Sequence, residues 1–440
     1  MVWTSHPVPQ IAGTLRAPGD KSCSHRALIL GGLAEGRSEI TGLLEGDDVR
    51  RTGAVMAALG ATLKQKGDGH WIIDGVGENG LSQPTKSLDF GNSGTGVRLM
   101  MGVLAGYGIV TELVGDDSLS ARPMRRVMTP LEEMGVSFGG SNNDKLPLTQ
   151  TGCARLKAIT YTPPQASAQV KSCILLAGLR ADGLTIVHES HLTRDHSERM
   201  LRAFGVEVIT APQGHGQSVS IRGGQVPIAR DTTVPGDPSS AAFLAAAALL
   251  SPRGGVLIER VMSNATRDGF FRVAAEMGAQ IGAEAQDEEA AGERLVDMSF
   301  ETSPLKGIQV PDAIVPSMID EFPILAVLAA FATGETRVTG AAELRVKESD
   351  RIDAVVDMLR VNGVEAEGTA DGFVVQGCGG PVPGGGLVET RHDHRIAMSA
   401  LIMGTASRAP ISVDDASMIA TSYPDFFADM KELGADIREA

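Results

Sequence analysis

The chain is 440 residues long, 42% hydrophobic and 21% charged, with two Trp and three Tyr. That length exceeds one ordinary core, so two large domains or a repeat architecture are expected, and the composition excludes a disordered or fibrous chain. A formal charge of −15 with no basic stripe argues against nucleic acid or an anionic membrane as the main partner, yet an acidic chain can still gather its cations in one cleft.

The segment Met1–Ile11 has neither a basic start nor a signal-type apolar stretch, and no run of 18 apolar residues follows, so a cytoplasmic, membrane-free protein is expected. Cys23, Cys153, Cys173 and Cys378 lie far apart without a CxxC pair, which predicts reduced thiols and neither a disulfide framework nor a zinc site. From there the chain repeats itself. Six times a helically spaced segment ends in an apolar residue or Asn, then Gly, then Ala or Val: Leu59-Gly60-Ala61, Met134-Gly135-Val136, Phe204-Gly205-Val206, Met277-Gly278-Ala279, Asn362-Gly363-Val364 and Leu433-Gly434-Ala435. Glycine there suits a left-handed helix cap, and the β-branched residues beyond it begin a strand.

Each repeat also holds an earlier helix of small apolar residues, predicted over Arg26–Leu33, Gly96–Leu104, Ala168–Leu179, Ser239–Leu250, Glu321–Phe331 and Arg395–Met403. These are apolar almost all round and should be buried. With a strand such as Ser38–Thr41 or Thr185–His188 after most of them, the unit reads β, α, β, α, β, β over about 70 residues, too short to hide both helices alone. Three units run from about Lys21 to Arg230 and three from about Val234 onward, with Thr232–Pro238 as the crossing. The acidic run Glu284–Arg294 and the Gly/Pro segment Gly377–Gly386 read as surface loops.

The starts of the buried helices carry the chemistry. Pro18-Gly19-Asp20-Lys21-Ser22-Cys23-Ser24-His25-Arg26 offers a tight turn, serine hydroxyls and two cations near a helix N-terminus, which already favours anions. Taken alone it would as readily be a capped helix with a solvated basic edge. Phe90-Gly91-Asn92-Ser93-Gly94-Thr95-Gly96, with Arg98 just inside, can expose backbone amides to a ligand; it lacks the Lys-Ser/Thr pair of a Walker loop, and a plain strand-to-helix turn is the alternative. Ser167-Ala168-Gln169 and Val234-Pro235-Gly236-Asp237-Pro238-Ser239-Ser240 put small donors before helices and read singly as N-caps. Asp320-Glu321 opens a helix, and Lys347-Glu348-Ser349-Asp350-Arg351 follows Arg345; Asp320 and Glu348 are candidates for general base and general acid, although such a run is more often a solvated face. In Arg391-His392-Asp393-His394-Arg395 the spacing fits no strong metal pattern, whereas the Arg395 guanidinium can clamp a carboxylate or phosphate.

In this order the motifs resemble the enolpyruvyl transferase family, from Gly13 to the C-terminus. Gly19-Asp20-Lys21-Ser22, Ser167-Ala168-Gln169-Val170-Lys171, Arg194-Asp195-His196-Ser197-Glu198 and Asn264-Ala265-Thr266-Arg267 are similar to signatures of its class II, glyphosate-tolerant branch. The resemblance implies an α/β fold of two inside-out α/β barrel domains, each of three βαβαββ repeats, closing over substrates at a hinge. The start of the chain would cross over, giving domains of residues 20–232 and of 1–19 with 233–440. It also implies an enzyme, monomeric and without metal or cofactor, that moves the carboxyvinyl group of phosphoenolpyruvate onto the 5-hydroxyl of shikimate 3-phosphate.

By the same resemblance, shikimate 3-phosphate would be held by Lys21, Ser22, Arg26, Ser167, Ala168, Gln169, Arg194, Asp320 and Lys347. Phosphoenolpyruvate would sit against Lys21, Gly94, Arg122, Gln169, Glu348, Arg351 and Arg395, with Asn92 and Asp48 at nearby positions. Asp320 would take the hydroxyl proton, and either Glu348 or Lys21 would protonate the methylene carbon. Two departures stand out: Thr421, in Thr421-Ser422-Tyr423-Pro424, replaces a lysine of many class I members, and Gly94 stands where some tolerant members have Ala. Partial to strong glyphosate tolerance is expected.

A sister transferase acting on UDP-N-acetylglucosamine would need a cysteine in the loop where Ser118–Arg122 has none, and Lys-Asn in place of Lys21-Ser22. A non-catalytic repeat scaffold needs no carboxylates embedded among cations, and a catalytically silent homologue would not need the site motifs intact.

Overall fold

In a computed structural model that describes residues 1–140 and 144–439, the chain forms two compact units. The first comprises Gly19–Pro235 with Ala290–Glu293; the second comprises Met1–Pro18, Gly236–Glu289 and Arg294–Ala440.

Three helices fill the first unit: α1 (Lys21–Leu33), α2 (Gly94–Ala105) and α3 (Ala168–Gly178). From Cys23 onward α1 is buried on every side, as is α3 from Val170, because sequences such as Ala-Leu-Ile-Leu-Gly-Gly-Leu have no polar face to give to water. α2 packs closely along α3. Gly102 makes that approach possible, since a Cβ there would stand 2.2 Å from the Cys173 carbonyl oxygen. Each buried helix leads to a strand and then to an amphipathic helix: Asp47–Ala58, Arg125–Met134 and His196–Ala203. Gly135 ends the second of these at φ 110°, the left-handed cap that the repeat pattern predicted.

Three four-stranded sheets cover these helices. Their orders are Thr232–Thr233, Arg37–Thr41, His70–Asp74, Thr62–Gly67; then Leu88–Asp89, Val110–Val114, Leu148–Thr151, Ser137–Gly139; then Thr160–Tyr161, Leu184–Glu189, Gly216–Arg222, Val208–Gln213. In each, one short edge strand pairs parallel and the other pairings are antiparallel. The register Thr185↔Ile221 and Val187↔Val219 puts two buried pairs on one face.

The second unit repeats the plan with α4 (Pro238–Leu250), α5 (Phe322–Phe331) and α6 (His394–Ala406), which pack on one another. All ten residues of α5 are buried. Its sheets run Gln280–Ala290, Glu293–Glu301, Gly254–Ser263, Ile11–Arg16; Thr333–Val338, Phe373–Cys378, Glu365–Gly368; and Leu387–Val388, Ile411–Val413, Trp3–His6, Asp436–Glu439. The chain's first two strands thus complete two sheets of this unit.

Helices inside and sheets outside agree with the expected inside-out α/β repeats, although the six sheets among the described residues are open and do not close into barrels. One loop expectation needs correction. Glu284–Arg294 lies largely within two long neighbouring strands, because Leu295, Met298 and Phe300 give the inner strand a buried face while the charged outer strand makes a solvated sheet edge. Most of Gly377–Gly386, beyond Cys378, is irregular. No helix among the described residues is long and apolar enough to cross a membrane.

Candidate active site

In the first unit the candidate residues stand at the N-termini of α1, α2 and α3. Asp20 caps α1 by accepting from the Cys23 amide at 2.7 Å, which puts Lys21 and Ser22 in the first helical turn, five residues earlier than the sequence suggested. The Lys21 ammonium pairs with Asp48 at 2.5 Å. Arg26, one turn further, is buried and donates to Ser197 Oγ at 2.8 Å, Ser172 Oγ at 3.0 Å and the Ser22 carbonyl at 2.9 Å. Burial pulls its guanidinium below its usual range, with nearby Asp20 and Glu198 opposing that shift.

Ser93 caps α2 through the Gly96 amide at 3.0 Å, so Gly94 is the first helical residue. Arg122 donates to Asn92 Oδ1 at 2.7 Å and Ser118 Oγ at 3.2 Å, and Asn92 donates to Asp116 at 2.9 Å. A Cβ on Gly94 would lie 2.8 Å from Arg98 and 3.1 Å from Arg122, so two guanidinium groups converge over this glycine. Arg98 is absent from the sequence-derived set; its place one helical turn after Gly94 was the available signal. Ser167 caps α3, followed by Ala168, and Gln169 donates to Thr95 Oγ1 of α2 at 3.2 Å. Arg194 is half-buried in the segment between Glu189 and the His196–Ala203 helix. Three helix N-termini, the five cations Lys21, Arg26, Arg98, Arg122 and Arg194, and several hydroxyl and amide donors in one unit suit a multiply charged anion.

In the second unit the set gathers around Arg351, whose side chain is only 1% exposed. It binds Asp393 at 2.8 Å, Glu348 at 2.6 Å and Asp320 at 3.3 Å. Burial works against its charge, but the carboxylates of Asp393, Glu348 and Asp320 outweigh that and raise its pKa further. For Asp393, burial opposes ionisation and Arg351 overcomes it, holding the carboxyl below its usual range. Lys347 reaches Asp320 at 3.4 Å, and Arg395 donates to the Asp320 carbonyl at 3.0 Å. Asp320 and Glu348 keep 16% and 29% of their side-chain exposure, so both carboxylates remain open to a ligand. The sequence reading weighed Asp393 only as part of a metal pattern and gave it no role: it caps α6 through the Arg395 amide at 2.9 Å, accepts from Ser349 at 3.0 Å and anchors Arg351. It follows Arg391 and His392, both at positive φ, a turn that aims the α6 N-terminus. Thr421 donates to the Met418 carbonyl at 2.7 Å and so closes its own turn.

Among the described residues, Cys23, His196 and Glu293 bring three possible metal-ligating atoms within 4.8 Å of one another. His196 Nδ1 already shares a 2.8 Å hydrogen bond with Glu293, whose other oxygen faces Arg199 at 3.4 Å. His196 and Glu293 are thus already engaged with each other and with Arg199, beside the buried Cys23. A small cleft lined by Leu33, Val103, Tyr107, Leu179 and Pro227 lies at the C-terminal ends of α1–α3, away from all the candidate groups.

The family model for EPSP synthase (3-phosphoshikimate 1-carboxyvinyltransferase) matches residues 6–430. The 3-phosphoshikimate 1-carboxyvinyltransferase of Hyphomonas neptunium is 65% identical over 439 residues, covering all of both chains, and that of Afipia carboxidovorans is 52% identical over 427 residues, covering 97% of this chain and 96% of that one. The solved EPSP synthase of Acinetobacter baumannii superposes with a TM-score of 0.89 at 41% identity over the full length of both chains. NikO of Streptomyces tendae, an enolpyruvyl transferase, shares the fold with a TM-score of 0.77 at 18% identity, covering all of this chain and 98% of its own. With sequence and fold agreeing along its whole length, the chain belongs to the EPSP synthase (3-phosphoshikimate 1-carboxyvinyltransferase) family.

Proposed function

We propose that the chain transfers the carboxyvinyl group of phosphoenolpyruvate to the 5-hydroxyl of shikimate 3-phosphate, releasing phosphate, in aromatic amino acid biosynthesis. The observation that carries this reading is the Arg351 cluster, where Asp320 and Glu348 stay accessible among Lys347, Arg351 and Arg395. Carboxylates in such company can move protons while the cations offset the charge of two anionic substrates.

Asp320 takes the proton of the 5-hydroxyl as its oxygen bonds to the central carbon of phosphoenolpyruvate. Glu348 or Lys21 gives a proton to the methylene carbon, which becomes a methyl group. The resulting tetrahedral adduct then loses phosphate and returns one methyl proton, leaving the enol ether. Lys21, Ser22, Arg26, Ser167, Ala168, Gln169, Arg194, Asp320 and Lys347 hold the shikimate ester. Lys21, Gly94, Arg122, Gln169, Glu348, Arg351 and Arg395 hold phosphoenolpyruvate, and the paired guanidinium groups beside Gly94 support that assignment. None of these steps requires a metal or cofactor.

The finer reading is the class II, glyphosate-tolerant branch, supported by the Lys21-Ser22, Ser167–Lys171, Arg194–Glu198 and Asn264–Arg267 signatures. Domains of residues 20–232 and of 1–19 with 233–440, a monomeric state and a cytoplasmic location complete the proposal.

The test is phosphate release by the purified protein given phosphoenolpyruvate with shikimate 3-phosphate, beside a parallel reaction with UDP-N-acetylglucosamine. Release with the shikimate ester alone is expected; release with the nucleotide sugar alone overturns the assignment. The same assay with glyphosate should show turnover persisting at concentrations that stop a sensitive enzyme, and inhibition at those concentrations refutes the tolerant branch.

A further inference from the structure

Lys171, one turn into α3, is fully buried, yet no substrate role falls to it. Its ammonium lies 2.9 Å from Glu189 and 2.7 Å from Glu198. Glu189 ends the strand Leu184–Glu189, and Glu198 stands in the first turn of the His196–Ala203 helix. The segment between these carboxylates carries Arg194. Glu189 also accepts from Thr193 Oγ1 within that segment and from Gln217 at 2.9 Å.

The next residue on each helix extends the connection. Ser172, after Lys171, and Ser197, before Glu198, share a 2.7 Å hydrogen bond, and together they receive the Nε and Nη2 donors of Arg26. One buried ammonium therefore ties together the α3 start with Ser167–Gln169, the segment with Arg194, and the serine pair that orients Arg26.

We infer that Lys171 is a positioning residue for shikimate 3-phosphate, holding α3 against the Glu189–Glu198 segment so that Arg194 and Arg26 are presented as one set. This inference rests on the proposed function, which assigns those two residues to the ester alone. A buried ion triad is a poor way to gain stability, because well-fitted apolar side chains of the same volume commonly do as well or better. What a triad adds is a fixed geometry: one ammonium between two carboxylates defines the helix and segment relative to each other. Burial pushes the Glu198 carboxyl above its usual range, and Lys171 opposes that shift.

The test compares the parent with Lys171→Arg, Lys171→Met and the charge-free triple variant Lys171→Met/Glu189→Gln/Glu198→Gln. Lys171→Met alone leaves two buried carboxylates facing each other and is expected to be unstable; the triple variant removes that repulsion and should keep a urea midpoint near the parent's. It should nevertheless need roughly tenfold more shikimate 3-phosphate to saturate, with the KM for phosphoenolpyruvate changed less than about twofold. Lys171→Arg, which keeps the charge but moves the head group, should fall between. A stable triple variant with the parent's KM for shikimate 3-phosphate overturns the positioning role, as does an equal rise in both KM values. A parent that is never saturated by shikimate 3-phosphate overturns the proposed function itself, and this inference with it.

Discussion

His25 shows how one buried side chain can set acid stability. It is fully buried, with Nδ1 2.8 Å from Thr52 Oγ1. Burial above all pushes its imidazole down to about 3; Asp48 pulls it up, while Lys21 and Arg26 push it further down. In the unfolded chain the ring titrates near 6.5, so between 6.5 and 3 the unfolded state binds a proton that the folded state does not. Stability is therefore complete above pH ~6.5 and declines as the pH falls toward 3, by at most about 1.4 kcal/mol per pH unit from this group. His25→Gln should lose roughly 1–2 kcal/mol at neutral pH through poorer packing, and should show a shallower decline between pH 6.5 and 3. Urea midpoints across that range check this; a uniform offset with the parent's slope contradicts it. The wider lesson at this scale concerns distance along the chain. Lys21, Ser22, Gly94 and Gln169 could be singled out because a helix start announces itself within a few residues. Asp393 could not be tied to Arg351, 42 residues away, nor Lys171 to Glu198, because such pairs exist only once the repeats have packed.

At the scale of elements, the α2–α3 contact sets two effects against each other at Gly102. Helix propensity alone favours Ala over Gly by about 1 kcal/mol. The structure says the opposite, since the added carbon would meet the Cys173 carbonyl at 2.2 Å, and that partner is backbone in a buried helix. Forcing the helices apart costs roughly 1–3 kcal/mol or more, so Gly102→Ala should be destabilising on balance. A urea midpoint above the parent's would show that the contact relaxes freely. The buried helices themselves were legible, since sequences such as Phe-Pro-Ile-Leu-Ala-Val-Leu-Ala-Ala-Phe leave no face for water. Glu284–Arg294 was misread as a loop because an exposed edge strand is charged on its open side and shows little of the alternation that marks a half-buried one.

For the whole molecule, the first sixteen residues matter out of proportion to their number. Nothing in their periodicity tells where they go; the crossover was implied only by the family resemblance, because strand partners hundreds of residues away leave no local trace. Trp3–His6 lies between Ile411–Val413 and Asp436–Glu439, antiparallel to both, with Thr4 opposite Ser412 on one side and Arg438 on the other. Trp3 stacks on Phe427 with ring centres 4.1 Å apart, and the strand packs on α6, most of whose residues are buried. A proline in this central strand removes a backbone donor and places a ring where a neighbouring strand must approach. Thr4→Pro should therefore cost roughly 2–4 kcal/mol, whereas Thr4→Val, which keeps the amide and suits a strand, should stay within about 1 kcal/mol of the parent. Hydrogen exchange separates local from global effects. Loss of protection in Thr4→Pro should concentrate in residues 394–413 and 436–439, while α1 and α2, whose main packing partners lie within the first unit, keep theirs. Equal loss in both units would mean that they open together, and unchanged protection around α6 would mean that the strand is an ornament to a sheet that holds without it.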